Sequence, residues 1–267
     1  MFGKKRALVA VALLAGSAAI PAMAHHQWQN FAWASDGVSP IAPPVVDNTD
    51  SRWSGHVSQA VADWNVSPVI ESGLEYGNNS SCAMTTGTIQ VCNADYGDNG
   101  WLGLATISHR DGTIVAGSTK LNDNFFNRPK YDNYTWRQLV TCQEIGHDYG
   151  LTHQNEDFST DLTTSCMEYT SLPEGNEQPD AHDYEELARM YGGTTSGGGK
   201  GGKGNGKGRT KQRMSLPPVG NTPSTWGRPT AFLPNGKPYR YIKNVGNYTY
   251  VTHVTWAPDD GYGDHDH

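Results

Sequence analysis

The sequence predicts an α+β fold, because three segments with helical signals stand among short segments that are typical of β-strands. The helical segments have residues that recur at helical spacing, in the first two cases after candidate capping residues, and they cover residues 53–64, 136–147 and 183–191. The strand-like segments are short, are separated by turn signals, and cover residues 67–92, 101–107 and 112–121. From residue 216 the sequence becomes aromatic and β-forming, which predicts a small β region at the end of the chain.

The first 24 residues have the pattern of a secretory signal peptide. Three basic residues and an apolar run over residues 7–20 precede a small-residue cleavage site at Ala24. A membrane anchor is the alternative, but the apolar run is too short to span a bilayer and a cleavage signal follows it. The sequence therefore predicts a secreted chain, extracellular or periplasmic, without a membrane span.

Composition divides the remaining chain into three parts. Residues 25–192 are expected to form the main domain, residues 193–213 a Gly/Lys-rich flexible linker, and residues 214–267 a small aromatic-rich β region. The formal net charge of the chain is −7, and it becomes −10 once the three basic residues of the signal peptide are removed. The main domain holds 7 basic and 23 acidic residues, which argues against nucleic acid as its partner. The linker, with 6 basic residues, is either a solvated spacer or a basic arm for anionic polymers.

The main domain is expected to begin with a strand and a helix. Residues 25–34 alternate aromatic and polar residues, which predicts the first strand. Asp50 or Ser51 can cap the helix that follows. The apolar residues of this helix recur at helical spacing and are expected to pack in the core: Trp53, Val57, Val61 and Trp64.

A second helix is expected to lead into the segment from Cys142 to His153. Thr135 and Gln138 have the spacing of a capping box, so this helix should begin near Trp136. A last helix is predicted near residues 183–191, where apolar residues again recur at helical spacing.

The residues of the second helix and of the turn after it have the chemistry of a metal site. Gln143 and His147 lie four residues apart and share a helical face, which Glu144 borders. Gly150 can end the helix in a left-handed conformation, so the chain can turn back and bring His153 towards the other two. Three ligands with one position left for water are typical of a catalytic zinc site.

This segment resembles the metzincin zinc-protease signature, His-Glu-x-x-His-x-x-Gly-x-x-His. Four of the five fixed positions match, at Glu144, His147, Gly150 and His153, while Gln143 replaces the first histidine. The stretch Ser165-Cys166-Met167-Glu168-Tyr169 resembles the methionine turn that lies beneath the metal in that family. The chain is similar to matrixin- and adamalysin-like members, and in particular to secreted proteins that carry Gln-Glu at this position.

The resemblance implies a metzincin-like catalytic domain over residues 25–192 and a zinc-dependent endopeptidase that acts on proteins or peptides. It implies zinc ligation by His147, His153 and the side-chain oxygen of Gln143, with Glu144 as the general base. Tyr169 falls where some metzincins place a tyrosine that stabilises the oxyanion, while Gly150 and Met167 have structural roles at the site. In that family a strand beside the cleft holds the substrate in extended form, and residues 113–118 are a candidate for it.

Four cysteines in an exported chain predict two disulfides, although the sequence alone allows three pairings. A bond between Cys82 and Cys92 would bracket a short segment with a turn signal. A bond between Cys142 and Cys166 would join the active-site helix to the methionine turn and stabilise the fold by about 3 kcal/mol in the chain-entropy model.

A different class of function follows if Gln143 does not bind metal. Two histidines hold zinc poorly, so the cleft would survive as a surface that binds peptides or proteins without cleaving them. His56 and His109 are the other candidates for the missing ligand, but their spacing does not favour them. The histidines of the terminal Asp-His-Asp-His, residues 264–267, could bind a divalent metal, but they are expected to lie in a solvated tail, and the same is expected of His25 and His26.

Overall fold

A computed structural model describes residues 26–28, 30–158, 164–192 and 212–258. The predicted signal peptide, most of the predicted linker and the terminal Asp-His-Asp-His lie outside these residues. Within them the chain is α+β, with helices packed on a mixed β-sheet. Among the described residues, no helix is long and apolar enough to cross a membrane.

The first half of the chain provides six strands and one long helix. The strands are β1 (Ala32–Trp33), β2 (Val45–Asp47), β3 (Leu74–Tyr76), β4 (Ile89–Ala94), β5 (Trp101–Arg110) and β6 (Thr113–Asn122). Helix α1 (Ser54–Trp64) follows β2 and buries Val57, Val61 and Trp64, as its spacing predicts. The predicted caps, Asp50 and Ser51, do not cap this helix with their side chains, because the cap residue is Trp53. The Asp50 carboxylate accepts instead from the backbone amide of Arg52. The predicted first strand is shorter than residues 25–34, since only Ala32–Trp33 pairs as a strand.

The second half provides the remaining helices and three more strands. The helices are α2 (Asp123–Phe126), α3 (Tyr134–Asp148), α4 (Ala181–Tyr191) and α5 (Pro223–Trp226), and the strands are β7 (Arg228–Phe232), β8 (Pro238–Val245) and β9 (Tyr248–Trp256). Helix α3 begins two residues before the predicted start. Its cap is Asn133, whose side chain accepts from the amide of Trp136, while the Thr135 hydroxyl donates to Asn133. Helix α4 has a complete capping box between Asp180 and Asp183.

All nine strands belong to one sheet, in the order β3-β2-β4-β6-β5-β9-β8-β7, with β1 paired to the start of β6. Strand β6 pairs with β4 in parallel and with β5 in the antiparallel direction, so residues 113–118 do not form an open edge. Strand β9 pairs with β5 along its whole length. The three C-terminal strands therefore continue the sheet of the main domain.

Two apolar cores stabilise this arrangement. The larger core contains the buried faces of α1 and α3 and the sheet residues that they cover, among them Trp64, Leu139 and Ile107. The second core is built mainly by the C-terminal residues 216–256, which pack around Trp101 and Leu104 of β5. Cys82 is bonded to Cys92, and Cys142 to Cys166, as expected from the sequence. The second bond joins α3 to the segment that contains Met167.

Candidate metal centre

Helix α3 and the turn after it position the first two histidines of the site. The helix ends at Asp148, and Gly150 follows with a φ of +100°, a conformation that glycine adopts without a steric cost. A side chain at Gly150 would also collide with the backbone oxygen of Phe31. The chain therefore turns sharply here and brings His153 against His147, with ring centroids 4.6 Å apart.

A third histidine reaches the same point from the C-terminal strand. The Nε2 atom of His147 lies 3.0 Å from Nε2 of His153 and 3.3 Å from Nδ1 of His253. His253 is on β9, opposite Ala105 of β5. All three side chains are enclosed, with exposed fractions of 0%, 4% and 0% for His147, His153 and His253.

The two distances from His147 Nε2 are close to those between ligands of a tetrahedral zinc ion, and the three nitrogens lie within 4.8 Å of one another. Zinc–nitrogen bonds of about 2.0–2.1 Å at tetrahedral angles separate neighbouring nitrogens by about 3.3 Å. The Nδ1 atom of His147 donates to the carbonyl oxygen of Leu151 at 2.9 Å, so Nε2 of the neutral ring carries a lone pair. That lone pair can accept one hydrogen bond, whereas two imidazole nitrogens approach it. A shared metal ion satisfies all three nitrogens, and a hydrogen-bonded arrangement does not.

Burial keeps the three rings in the neutral form that binds metals. Loss of hydration lowers the pKa of His147 to about 4. The same cause holds the pKa values of His153 and His253 well below the usual value, and the neighbouring histidines lower them further. Three neutral imidazoles in one enclosed space are therefore available as ligands at neutral pH.

Gln143 lies beside this cluster, but its amide is engaged by the protein. The amide nitrogen donates to the carbonyl oxygens of Cys166 and Glu168, at 2.8 and 3.0 Å. The amide oxygen accepts from the Thr255 hydroxyl at 2.7 Å. Gln143 thus links α3 to the segment around Met167 and to β9, while the third imidazole of the cluster comes from His253.

Glu144 is fully buried between α3 and the two strands that face it. A side chain at Gly103 would collide with its carboxylate, so the glycine in β5 leaves the space that Glu144 fills. Among the described residues, no group makes a well-formed hydrogen bond to either carboxylate oxygen. Burial raises the pKa of Glu144 to about 8, and the nearby Thr255 hydroxyl and Ala105 amide oppose this rise. An uncompensated carboxyl beside a cluster of imidazoles is typical of a functional site.

Met167 packs on α3, while Tyr169 contacts the histidine cluster directly. Glycine at position 146 of α3 allows close packing of the Met167 sulfur on the helix. The Tyr169 ring packs on His153, with ring centroids 4.3 Å apart. The Tyr169 hydroxyl donates to the carbonyl oxygen of Val254 in β9, so the tyrosine also holds the C-terminal strand over the site.

Sequence analysis did not identify His253, which lies 106 residues after His147. The sequence did contain one signal for it, a histidine inside an apolar β-forming run. Such a histidine is expected to be buried, and a buried imidazole needs a partner. The two other candidates have different roles in the structure. His56 Nδ1 forms a hydrogen bond with Gln138, and His109 stacks on Phe31 and accepts from the Gly112 amide.

Comparison with known proteins assigns neither a family nor a function to this chain. No protein-family model matches the sequence, and no curated protein matches it.

Proposed function

We propose that this chain is a zinc-dependent endopeptidase whose site is closed by its own C-terminal strand. One observation carries the proposal: three imidazole nitrogens meet at the spacing of zinc ligands, on the helix that also carries Glu144. In the closed form the three ligands would be histidines, and in the open form Gln143 would replace His253, so both forms would keep three protein ligands beside a buried carboxylate, as catalytic zinc sites do.

The chain's own residues supply the proton transfers of hydrolysis. Bound zinc would supply a Lewis acid that activates water and polarises the substrate carbonyl. The Glu144 carboxylate would accept the proton of the attacking water and return it to the nitrogen of the leaving amine. The Tyr169 hydroxyl, which donates to a peptide carbonyl oxygen in the closed structure, would donate to the developing oxyanion.

A polypeptide can reach Glu144 only if β9 moves, because Glu144 and the three histidines are at most 4% exposed. Strand β9 lies extended and antiparallel on β5, and its Val254 carbonyl accepts from Tyr169. An extended substrate paired with β5 would make the same kinds of contact. The closed structure therefore represents a latent form in which β9 takes the place of the substrate.

Departure of β9 would also change the ligands that are available. His253 and Thr255 lie on the same face of β9 and contact His147 and Gln143 respectively. When β9 leaves β5, His253 leaves the cluster and the Gln143 amide oxygen loses its hydrogen bond from Thr255. Gln143 would then be free to provide the third ligand, with lower affinity than an imidazole.

Cleavage of an unfolded protein by the zinc-loaded full chain tests this proposal. We expect slow cleavage that a chelator abolishes and added zinc restores. Glu144→Gln should reduce the rate by at least about 100-fold, because it removes the proton acceptor, while the zinc content stays the same. Glu185→Gln is the matched control on α4 and should cleave at the wild-type rate. Equal rates for Glu144→Gln and wild type would exclude Glu144 as the base.

The closed site itself favours a second candidate function. If zinc is present and no protein substrate is cleaved under any of these conditions, the metal serves to fasten β9 to α3. The chain would then be a non-catalytic protein of this architecture that binds peptides or proteins on its surface. Retention of zinc together with absent cleavage distinguishes this function from the first.

A further inference from the structure

We infer that the chain has a second zinc site, built by His26, His182 and Glu186 at the start of α4. The candidate ligand atoms of these residues lie within 4.8 Å of one another. His182 and Glu186 stand four residues apart on α4 and therefore share one face of the helix. His26 comes from the segment before β1, and its ring centroid lies 4.6 Å from that of His182.

The strongest evidence is a buried imidazole without a partner. His182 is 8% exposed, and among the described residues neither of its ring nitrogens has a hydrogen-bond partner. Burying a polar group without a partner destabilises a fold, so native structures rarely contain one. A metal ion bound by one of these nitrogens accounts for the position of His182.

His26 is oriented as a metal ligand. Its Nε2 atom forms a hydrogen bond of 3.0 Å with the Asp183 carboxylate, while Nδ1 has no partner among the described residues. A carboxylate that accepts from one imidazole nitrogen and leaves the other for the metal is the usual outer-shell arrangement of histidine ligands. Asp183 also accepts from the Ser165 hydroxyl at 2.5 Å, so the same carboxylate is itself held in place.

Glu186 completes the donor set. Its side chain is almost fully buried and forms an ion pair with Arg189 through Oε2. Glu186 also interacts with the backbone of His26, but each carboxylate oxygen offers two lone-pair sites, so the group can keep both partners and still bind a metal ion. Two imidazoles and one carboxylate suit zinc. A surface depression lined by His182, Glu185, Ala188 and Arg189 gives an ion access from solvent.

The second site would stabilise the segment that precedes His153. The carbonyl oxygen of His26 accepts from the Thr152 amide at 2.6 Å, and the Trp28 amide donates to Gly150 at 2.8 Å. These hydrogen bonds join the segment around His26 to the turn between His147 and His153. A zinc ion at His26 would therefore link that turn to α4. Its role is structural, and it is independent of catalysis.

Zinc stoichiometry of the full chain tests the inference. Metal-free protein is saturated with zinc, freed of excess zinc and measured by elemental analysis. We expect about two zinc ions per chain for wild type and for the control Glu71→Gln, whose side chain is exposed and lies outside both clusters, and about one for His182→Gln and for Glu186→Gln. His147→Ala should also bind about one, and His147→Ala combined with His182→Gln should bind none.

The His147→Ala background separates this inference from the proposed function. In that background, zinc should raise the melting temperature, and this rise should disappear when His182→Gln is added. Circular dichroism of each variant verifies that it is folded, and Glu186→Gln replaces His182→Gln if the latter is not. An unchanged zinc content and an unchanged zinc-dependent rise in melting temperature, in a folded His182→Gln or Glu186→Gln variant, would overturn the second site.

Discussion

In the candidate metal centre, His253 is the imidazole that strand β9 adds to the two histidines from α3 and the turn after it. A buried imidazole within 3.3 Å of another ring nitrogen loses hydration and gains little from a neutral neighbour. A bound metal ion would be the partner that stabilises its position. Gln143 stands where the signature has its first histidine. The third imidazole of the cluster is instead supplied by His253, which lies elsewhere in the sequence.

The residue-scale prediction concerns zinc affinity. His253→Ala should weaken zinc binding at the metal centre by more than about 100-fold, since even outer-shell changes at zinc sites cost 10–100-fold. The affinity is measured by competition with a chromogenic chelator, in the His182→Gln background so that one site is followed. His56→Ala is the control, because its imidazole bonds to Gln138 away from the cluster. Unchanged affinity in His253→Ala would show that His253 only covers the site.

Helix α3 is packed so closely at Gly146 that alanine, although a better helix former than glycine, should destabilise the fold at this position. A side chain at Gly146 would come within 2.5 Å of both the Met167 sulfur and the Trp64 ring. Alanine is a better helix former than glycine by about 1 kcal/mol, but overpacking a buried site costs about 1–3 kcal/mol. Because Trp64 and Met167 are both fully buried, the packing cost should exceed the propensity gain.

Two matched substitutions test this balance. Gly146→Ala should lower the free energy of unfolding by about 1–2 kcal/mol, as measured by urea denaturation. Gly55→Ala in α1 should instead raise it by as much as about 1 kcal/mol, because no atom lies within 4 Å of the added carbon. A stabilised Gly146→Ala protein would mean that α3 and Met167 are not packed as the structure describes.

The long helices were predictable from the sequence, because their signals are local. The spacing of Trp53, Val57 and Trp64 depends on residues a few positions apart. The caps were not predicted correctly, because Asn133 rather than Thr135 caps α3 and no cap was predicted for α4. The pairing of β9 with β5 was not predictable, since it joins strands more than a hundred residues apart and its register leaves no local pattern. The same non-local pairing explains why His147 and His153 were found and His253 was not.

At the scale of the whole molecule, strand β9 forms one side of the candidate metal centre. The antiparallel pairing of β5 with β9 makes the C-terminal strands part of the sheet and part of the second core. The Tyr169 hydroxyl, the Gln143 amide and the histidine cluster all contact β9, so the strand is held on the face that a substrate would need. Opening this region must break several contacts together, which favours a closed resting state.

A reversible cross-link between β5 and β9 tests whether the proposed peptidase must open. Thr106 and Thr252 are paired across these strands, with hydroxyl oxygens 3.0 Å apart, so cysteines at both positions should form a disulfide. The oxidised double variant should keep its zinc and lose at least about tenfold in cleavage rate, because β9 can no longer leave β5.

Mild reduction should restore the cleavage rate of the double variant, while the rate of Thr106→Cys alone, treated identically, should not change. The native disulfides are buried and should resist such treatment. A cross-linked protein that cleaves as fast as the single-cysteine control would show that substrate reaches Glu144 with β9 in place.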